Sequence, residues 1–170
     1  MAGESEDAFD PIAVLRALDR HRVAYIIIGA LGRVIQASDE LTDGTDIVPS
    51  TREANVRRLA LALDDLNARR ADGKKLDLEE SLATKPALEL QTDAGEMKIV
   101  LRPAGTRGYD DLRRAATREP LGSGLRPSVA SLGDHARMLA ALGREEDAAK
   151  LRTVRRLIEL ERQLGLGLER

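Results

Sequence analysis

The sequence has no cysteine and no tryptophan. Without cysteine there are no disulfides, no thiolate metal ligands and no cysteine nucleophile, a composition that suits a cytoplasmic protein. Aromatic rings are nearly missing as well: Phe9, Tyr25 and Tyr109 are all the chain has. A stacking platform for single-stranded nucleic acid is thereby excluded. No stretch approaches the roughly 18 apolar residues of a membrane-spanning helix. The opening MAGESEDAFD is acidic and polar, unlike the basic-then-apolar pattern of a secretory leader. Neither sign of charge dominates. The formal net charge is -2, with no basic stripe of the kind that grips duplex nucleic acid. The two histidines, His21 and His135, lie far apart in sequence, which argues against a histidine-based metal centre.

What is present is aliphatic and charged. The 170 residues are 42% hydrophobic and 33% charged, enough for one domain with a core of Leu, Ile, Val and Ala. Residues 1–8 read as a disordered tail, 9–165 as the domain and 166–170 as a frayed end. Asp10-Pro11 is a helix start, an N-cap followed by proline at the first helical position. Ile12, Leu15 and Leu18 continue it as an apolar stripe ending near His21. Val23–Ile28 is a continuous β-branched run, expected as a buried strand closed by Gly29. A short helix is expected over Ala30–Ala37, a polar loop over Ser38–Gly44 and a second strand over Thr45–Val48, stopped by Pro49. Ser50 or Thr51 is expected to cap a helix whose Val56, Leu59, Leu63 and Leu66 share one face. A short helix follows at Leu78–Ala83. Ala87–Thr92 and Glu96–Leu101, joined by Asp93-Ala94-Gly95, predict a hairpin. Tyr109–Ala116 predicts a short helix, and Glu119–Val129 an irregular strand pair. Ser131 caps a helix to Leu142, ended by Gly143. A last helix is expected from Glu145 to Leu164, with a broad leucine face that needs covering by the sheet or by a second subunit. The order of elements predicts an α/β (α+β) domain: a small mixed sheet flanked by helices, with a helical C-terminus.

Several phrases together resemble the small bacterial nucleotidyltransferase-superfamily proteins. These are YIIIGALGRVIQ, LTDGTDIVPS, EANVRRLALAL, TDAGEMKIVLRPAGTRGYDDL and VASLGDHARMLAALGREED, spread over about residues 10–150. The resemblance implies relatives of the minimal nucleotidyltransferases and of the toxin half of some toxin–antitoxin pairs. In that family a strand ending in paired small residues lets the backbone approach a nucleoside triphosphate. Asp-x-Asp on the next strand, with a third carboxylate from a neighbouring strand, holds divalent ions that clamp the triphosphate.

Carried onto this chain, the pattern breaks. The small pair falls on Gly29-Ala30. The Asp-x-Asp falls on Gly44-Thr45-Asp46, so its first carboxylate is missing. Alternation of Met97, Ile99 and Leu101 toward the core leaves Lys98 where the third carboxylate belongs. The resemblance therefore implies a cleft that has lost its metal ligands, and neither metal nor cofactor is expected. Asp46 and Lys98 are the expected chemical pair, either as an ion pair closing an empty cleft or with Lys98 as an anion-binding ammonium. Asp43 could replace the missing ligand only through a bulge at Gly44. Asp39 and Glu40 are expected to be solvated. Arg33 and Gln36 are expected to face the cleft, and the basic loop Arg102–Arg107 to line its mouth or turn in solvent. His21 is expected to complement a helix dipole, and His135 to lie at the surface or the core edge. The ligand would be a nucleotide or another small molecule. A protein partner or a second copy of the chain is the other expectation. A binding or regulatory module is favoured over two enzymatic alternatives: a residual metal-dependent transferase, or a metal-free enzyme using Asp46 and Lys98 to move a proton.

Overall fold

The computed structural model describes residues 8–168. The expected N-terminal tail therefore lies almost wholly outside the described residues. Helix α1 (Pro11–Arg20) begins as its sequence dictates, with the Asp10 carboxylate accepting the Ala13 amide at 3.1 Å. Strand β1 (Tyr25–Ile28), helix α2 (Gly29–Ile35), strand β2 (Gly44–Pro49) and helix α3 (Glu53–Asp65) follow. Next come β3 (Arg69–Arg70), α4 (Leu78–Thr84), and the hairpin β4 (Ala87–Thr92) and β5 (Gly95–Val100). The chain ends with α5 (Tyr109–Leu112), β6 (Thr117–Arg118), β7 (Ser128–Val129), α6 (Leu132–Leu142), a 3-10 turn at Glu145–Asp147 and α7 (Ala148–Leu168).

All strands join one mixed seven-stranded sheet in the order β3-β4-β5-β2-β1-β7-β6. The β2–β5 and β1–β7 pairs are parallel and the others antiparallel. Strand alternation sorts the two faces. Ile27, Ile47, Leu88, Leu90, Met97 and Ile99 share one core cluster with α1 and α3. On the other face, Ile26, Ile28 and Val48 pack with Leu112 of α5 and Met138 of α6. That second cover stops short. Beyond it the same face carries Gly44, Asp46, Glu89, Gln91, Glu96 and Lys98, all half-buried or exposed. The uncovered polar half of a sheet face is the floor of the cleft.

Several boundaries differ from the sequence reading. Pro49 does not stop β2; it is the last strand residue, in register with Tyr25, where one missing amide costs little. Neither Ser50 nor Thr51 caps α3: the capping position is Arg52 and no side chain caps it. Ser50 is instead buried, and its carbonyl accepts the Asn55 amide group at 2.8 Å. Helix α5 ends four residues early, because Leu112 is its only buried anchor and the chain must then reach the sheet edge at Thr117. Glu145–Asp147 forms a 3-10 turn before α7, and α7 continues past Leu164 to Leu168. The leucine face of α7 is covered in part, and by a helix rather than by the sheet: Val154, Leu151, Leu157 and Ile158 pack on Leu132 and Leu139 of α6, while Leu160 and Leu164 stay exposed.

Candidate functional site

Asp46 stands on β2 between Ile28 of β1 and Lys98 of β5, its register partners on either side. Lys98 is in turn opposite Glu89 on β4. One row across the sheet thus reads Glu89, Lys98, Asp46, Ile28. The row below it places Glu96 opposite both Gly44 and Gln91. Burial pushes the Asp46 carboxyl above its ordinary range, and Asp43 and Glu89 push the same way against the pull of Lys98 and Arg33. The expected direct ion pair does not form: among the described residues Lys98 has no ion-pair partner within 4.0 Å. In-register Cα atoms do not bring a long lysine and a short aspartate head to head, and the ammonium is left to the cleft.

Gly29 makes the cleft possible. Its φ is +69°, and a Cβ there would sit 2.5 Å from Asp46 Oδ2. Left-handed backbone and contact with the carboxylate each demand glycine. Ala30, the second small residue, lines the cleft. A Cβ at Gly44 would lie 3.2 Å from the Glu96 carbonyl oxygen, a tight contact that a side chain there relieves only if β5 gives by a few tenths of an ångström. Asp43 lies at the mouth beside it, just ahead of the strand and with no bulge in the β2–β5 register.

Arg33 lines the cleft but does not offer it a free guanidinium. It is 8% exposed, and its Nε and one terminal nitrogen donate to Glu40 at 2.6 and 2.9 Å. Ser38 adds a third bond to Glu40 at 2.9 Å. Burial alone would raise the Glu40 carboxyl, but the Arg33 and Ser38 bonds outweigh it and hold its pKa down. Glu40 is therefore structural rather than solvated. Gln36 also turns away from the cleft, donating to Thr117 Oγ1 and the Ala130 carbonyl, each at 3.1 Å. The Arg102–Arg107 loop lines the cleft through Pro103 and Ala104, not through its arginines.

Of the two histidines, His21 caps the C-terminal end of α1 as expected and His135 departs from expectation. His135 is 1% exposed, against Gly32 of α2, and neither ring nitrogen finds a hydrogen-bond partner among the described residues. Burial, with help from Arg33, pushes its pKa down to about 4. His21 meets Asp65 of α3 at 2.7 Å, beside Arg20 at 2.8 Å, so it ties two helices together.

The cleft has two lobes that share Ala30, Asp46 and Lys98. One, of about 260 Å³, is acidic, with Asp43, Glu89 and Glu96 on its walls. The other, of about 370 Å³, runs under α6 and is bounded by Arg144 and Lys150. Both cations share Asp147, which accepts Arg144 Nε at 2.6 Å and lies 3.5 Å from the Lys150 ammonium. Strand alternation alone places Glu96 with Lys98 on the floor, and Glu89 follows from the hairpin register; both were legible and missed. Nothing local in the sequence marks Arg144 and Lys150, which the C-terminal helices bring to Asp46 from a distance. Among the described residues, no three His, Asp or Glu side chains are placed to share a metal ion.

No family model matches the sequence, and no curated protein is significantly similar to it. Solved structures are similar in fold. A Thermotoga maritima protein, TM1012, provisionally described as a nucleotidyltransferase, is 18% identical, with 88% of this chain and 96% of that one covered at a TM-score of 0.53. The lincosamide antibiotic adenylyltransferase LnuA, in its lincomycin-bound structure, is 12% identical, with 88% and 99% covered at 0.59. The antibiotic-resistance factor ANT(2'')-Ia, in its solution structure, is 14% identical, with 94% and 92% covered at 0.56. Identities this low speak for architecture and not for activity: the chain has a nucleotidyltransferase-like fold.

Proposed function

We propose that the protein is a nucleotidyltransferase-fold binding module whose cleft takes an anionic ligand without divalent metal. The observation that carries this reading is Lys98 in register with Asp46, where a third metal-binding carboxylate would face it. The donor set does not fit a pair of divalent ions. Gly44 supplies no ligand, Lys98 adds repulsion, and Glu89 and Glu96 are held apart on separate strands. Carboxylates must cluster around ions only roughly 3.5–4 Å apart, and here an ammonium occupies the middle of the row. Lys98 supplies the positive charge that an anion requires.

Thermal unfolding with nucleoside triphosphates, with and without Mg²⁺ or Mn²⁺, tests this. The wild type is expected to show no metal-dependent stabilisation. Lys98→Asp places a third carboxylate between Asp46 and Glu89; it is expected to melt lower than wild type and to recover several degrees with Mn²⁺. Mg²⁺-dependent nucleotide turnover by the wild type that disappears in Asp46→Asn would sink the reading. One observation favours a second reading. The raised pKa of Asp46, beside a lysine with no ion-pair partner among the described residues, is how a metal-free proton-transfer site is built. Activity on a small molecule that survives a chelator would select it.

A further inference from the structure

We propose that the lobe under α6 holds an aliphatic monoanion, its charged head between Lys98 and Lys150 and its hydrocarbon body along the α6 wall. The proposal rests on the metal-free reading above and names the ligand class for that same cleft.

The space, about 370 Å³, is of the size that small-molecule sites occupy. Its body-side wall is aliphatic throughout. Val100 comes from β5, and Met138, Leu139 and Leu142 come from α6. Leu142 is 46% exposed, a large hydrophobe left uncovered at the rim. No aromatic ring lines the lobe, so a nucleobase finds nothing to stack on. A flexible aliphatic chain needs no ring, only apolar surface to cover.

The charges select the head group. Arg33 is neutralised by Glu40 inside the protein. Arg144 pairs with Asp147 and, at 3.6 Å, with Glu146, and Lys150 pairs with Asp147. Among the described residues Lys98 has no ion-pair partner, and it faces Asp46 in register. Lys98 is therefore the one cation lining the lobe that lacks an ion-pair partner among the described residues. A singly charged head supplies that partner, whereas a triphosphate brings several charges more than one ammonium can match. The adjoining acidic lobe repels an anion and so directs it toward α6.

Isothermal titration of the full chain with hexanoate, octanoate and decanoate tests the proposal. Octanol serves as the headless control, and ATP with and without Mg²⁺ as the nucleotide control. Octanoate is expected to bind, with affinity rising about fourfold per added methylene. Octanol is expected to bind at least tenfold more weakly. Two surface variants probe the two ends of the ligand. Lys150→Glu is expected to weaken octanoate tenfold or more, and Leu142→Asp to abolish the chain-length dependence; their melting curves show that each remains folded. No heat with octanoate, or equal binding of octanol, overturns the proposal. ATP binding without metal, in place of octanoate, overturns the ligand class and leaves the metal-free cleft standing. ATP binding only with Mg²⁺ overturns both.

Discussion

At the scale of single residues, His135 has the largest consequence outside the cleft. Its imidazole is enclosed with both nitrogens unpartnered among the described residues, so it is held neutral. The unfolded chain takes up a proton as pH falls through the ordinary histidine value of 6.5, while the native protein waits until about 4. Between those values the unfolded state binds more protons, so native stability falls as pH falls. The full swing is on the order of 3 kcal/mol. Urea denaturation at pH 7 and pH 4.5 is expected to show most of that loss in the wild type and to lose the histidine part of it in His135→Leu. A buried apolar leucine is also expected to be tolerated at neutral pH, because it removes two polar atoms without partners. An unchanged pH dependence in His135→Leu would mean that the ring is hydrogen-bonded in solution. Asp46 titrates in the opposite sense: its raised pKa means native stability is lost as pH rises through it, so Asp46→Asn is expected to stabilise the neutral protein.

At the scale of elements, the joint between β1 and α2 decides whether the cleft exists. The chain turns there through a left-handed Gly29 laid against the Asp46 side chain. Gly29→Ala combines an unfavourable backbone conformation with a contact no Cβ makes comfortably, and is expected to cost about 2 kcal/mol or more. Adding Asp46→Ala should return the contact share but not the backbone share. Equilibrium denaturation of the single and double variants measures that coupling. Strict additivity would show that the glycine is needed for its backbone angle alone. This joint was legible as a small-residue turn and α2 as a short helix; the capture of Arg33 by Glu40 was not, because it depends on where the following loop folds back.

At the scale of the whole molecule, the sheet has two unequal covers. The α1–α3 side is sealed by a long apolar cluster, while the α5–α6 side closes only half the face and leaves the rest open. Helix α6 belongs to both parts: Met138 packs on the sheet and Leu139 on α7. The C-terminal helices are therefore expected to unfold with the sheet in one transition rather than as a separate unit. Val154, fully buried where α7 packs on α6, is the probe: Val154→Ala is expected to lower the stability of the whole protein by about 1–2 kcal/mol, moving the denaturation midpoint without changing the slope. A second transition confined to α7 would contradict this. Among the described residues, no helix is long and apolar enough to cross a membrane.

Periodicity was enough to determine the order of the elements, the hairpin and the core face of β5, because the spacing of apolar residues is a local consequence of strand and helix geometry. The placement of Lys98 on the face opposite the core was legible for the same reason. Partnerships between distant residues were not. Whether Asp46 pairs with Lys98, that Glu40 takes Arg33, and that His135 lies under Gly32 depend on where separate elements meet. The two-sided character of the cleft depends on it most. Glu89 and Glu96 arrive with the hairpin, and Arg144 and Lys150 with helices about fifty residues later in the chain. Only packing sets those four charges around one aspartate, because side-chain electrostatics act through space and the sequence orders residues only along the chain.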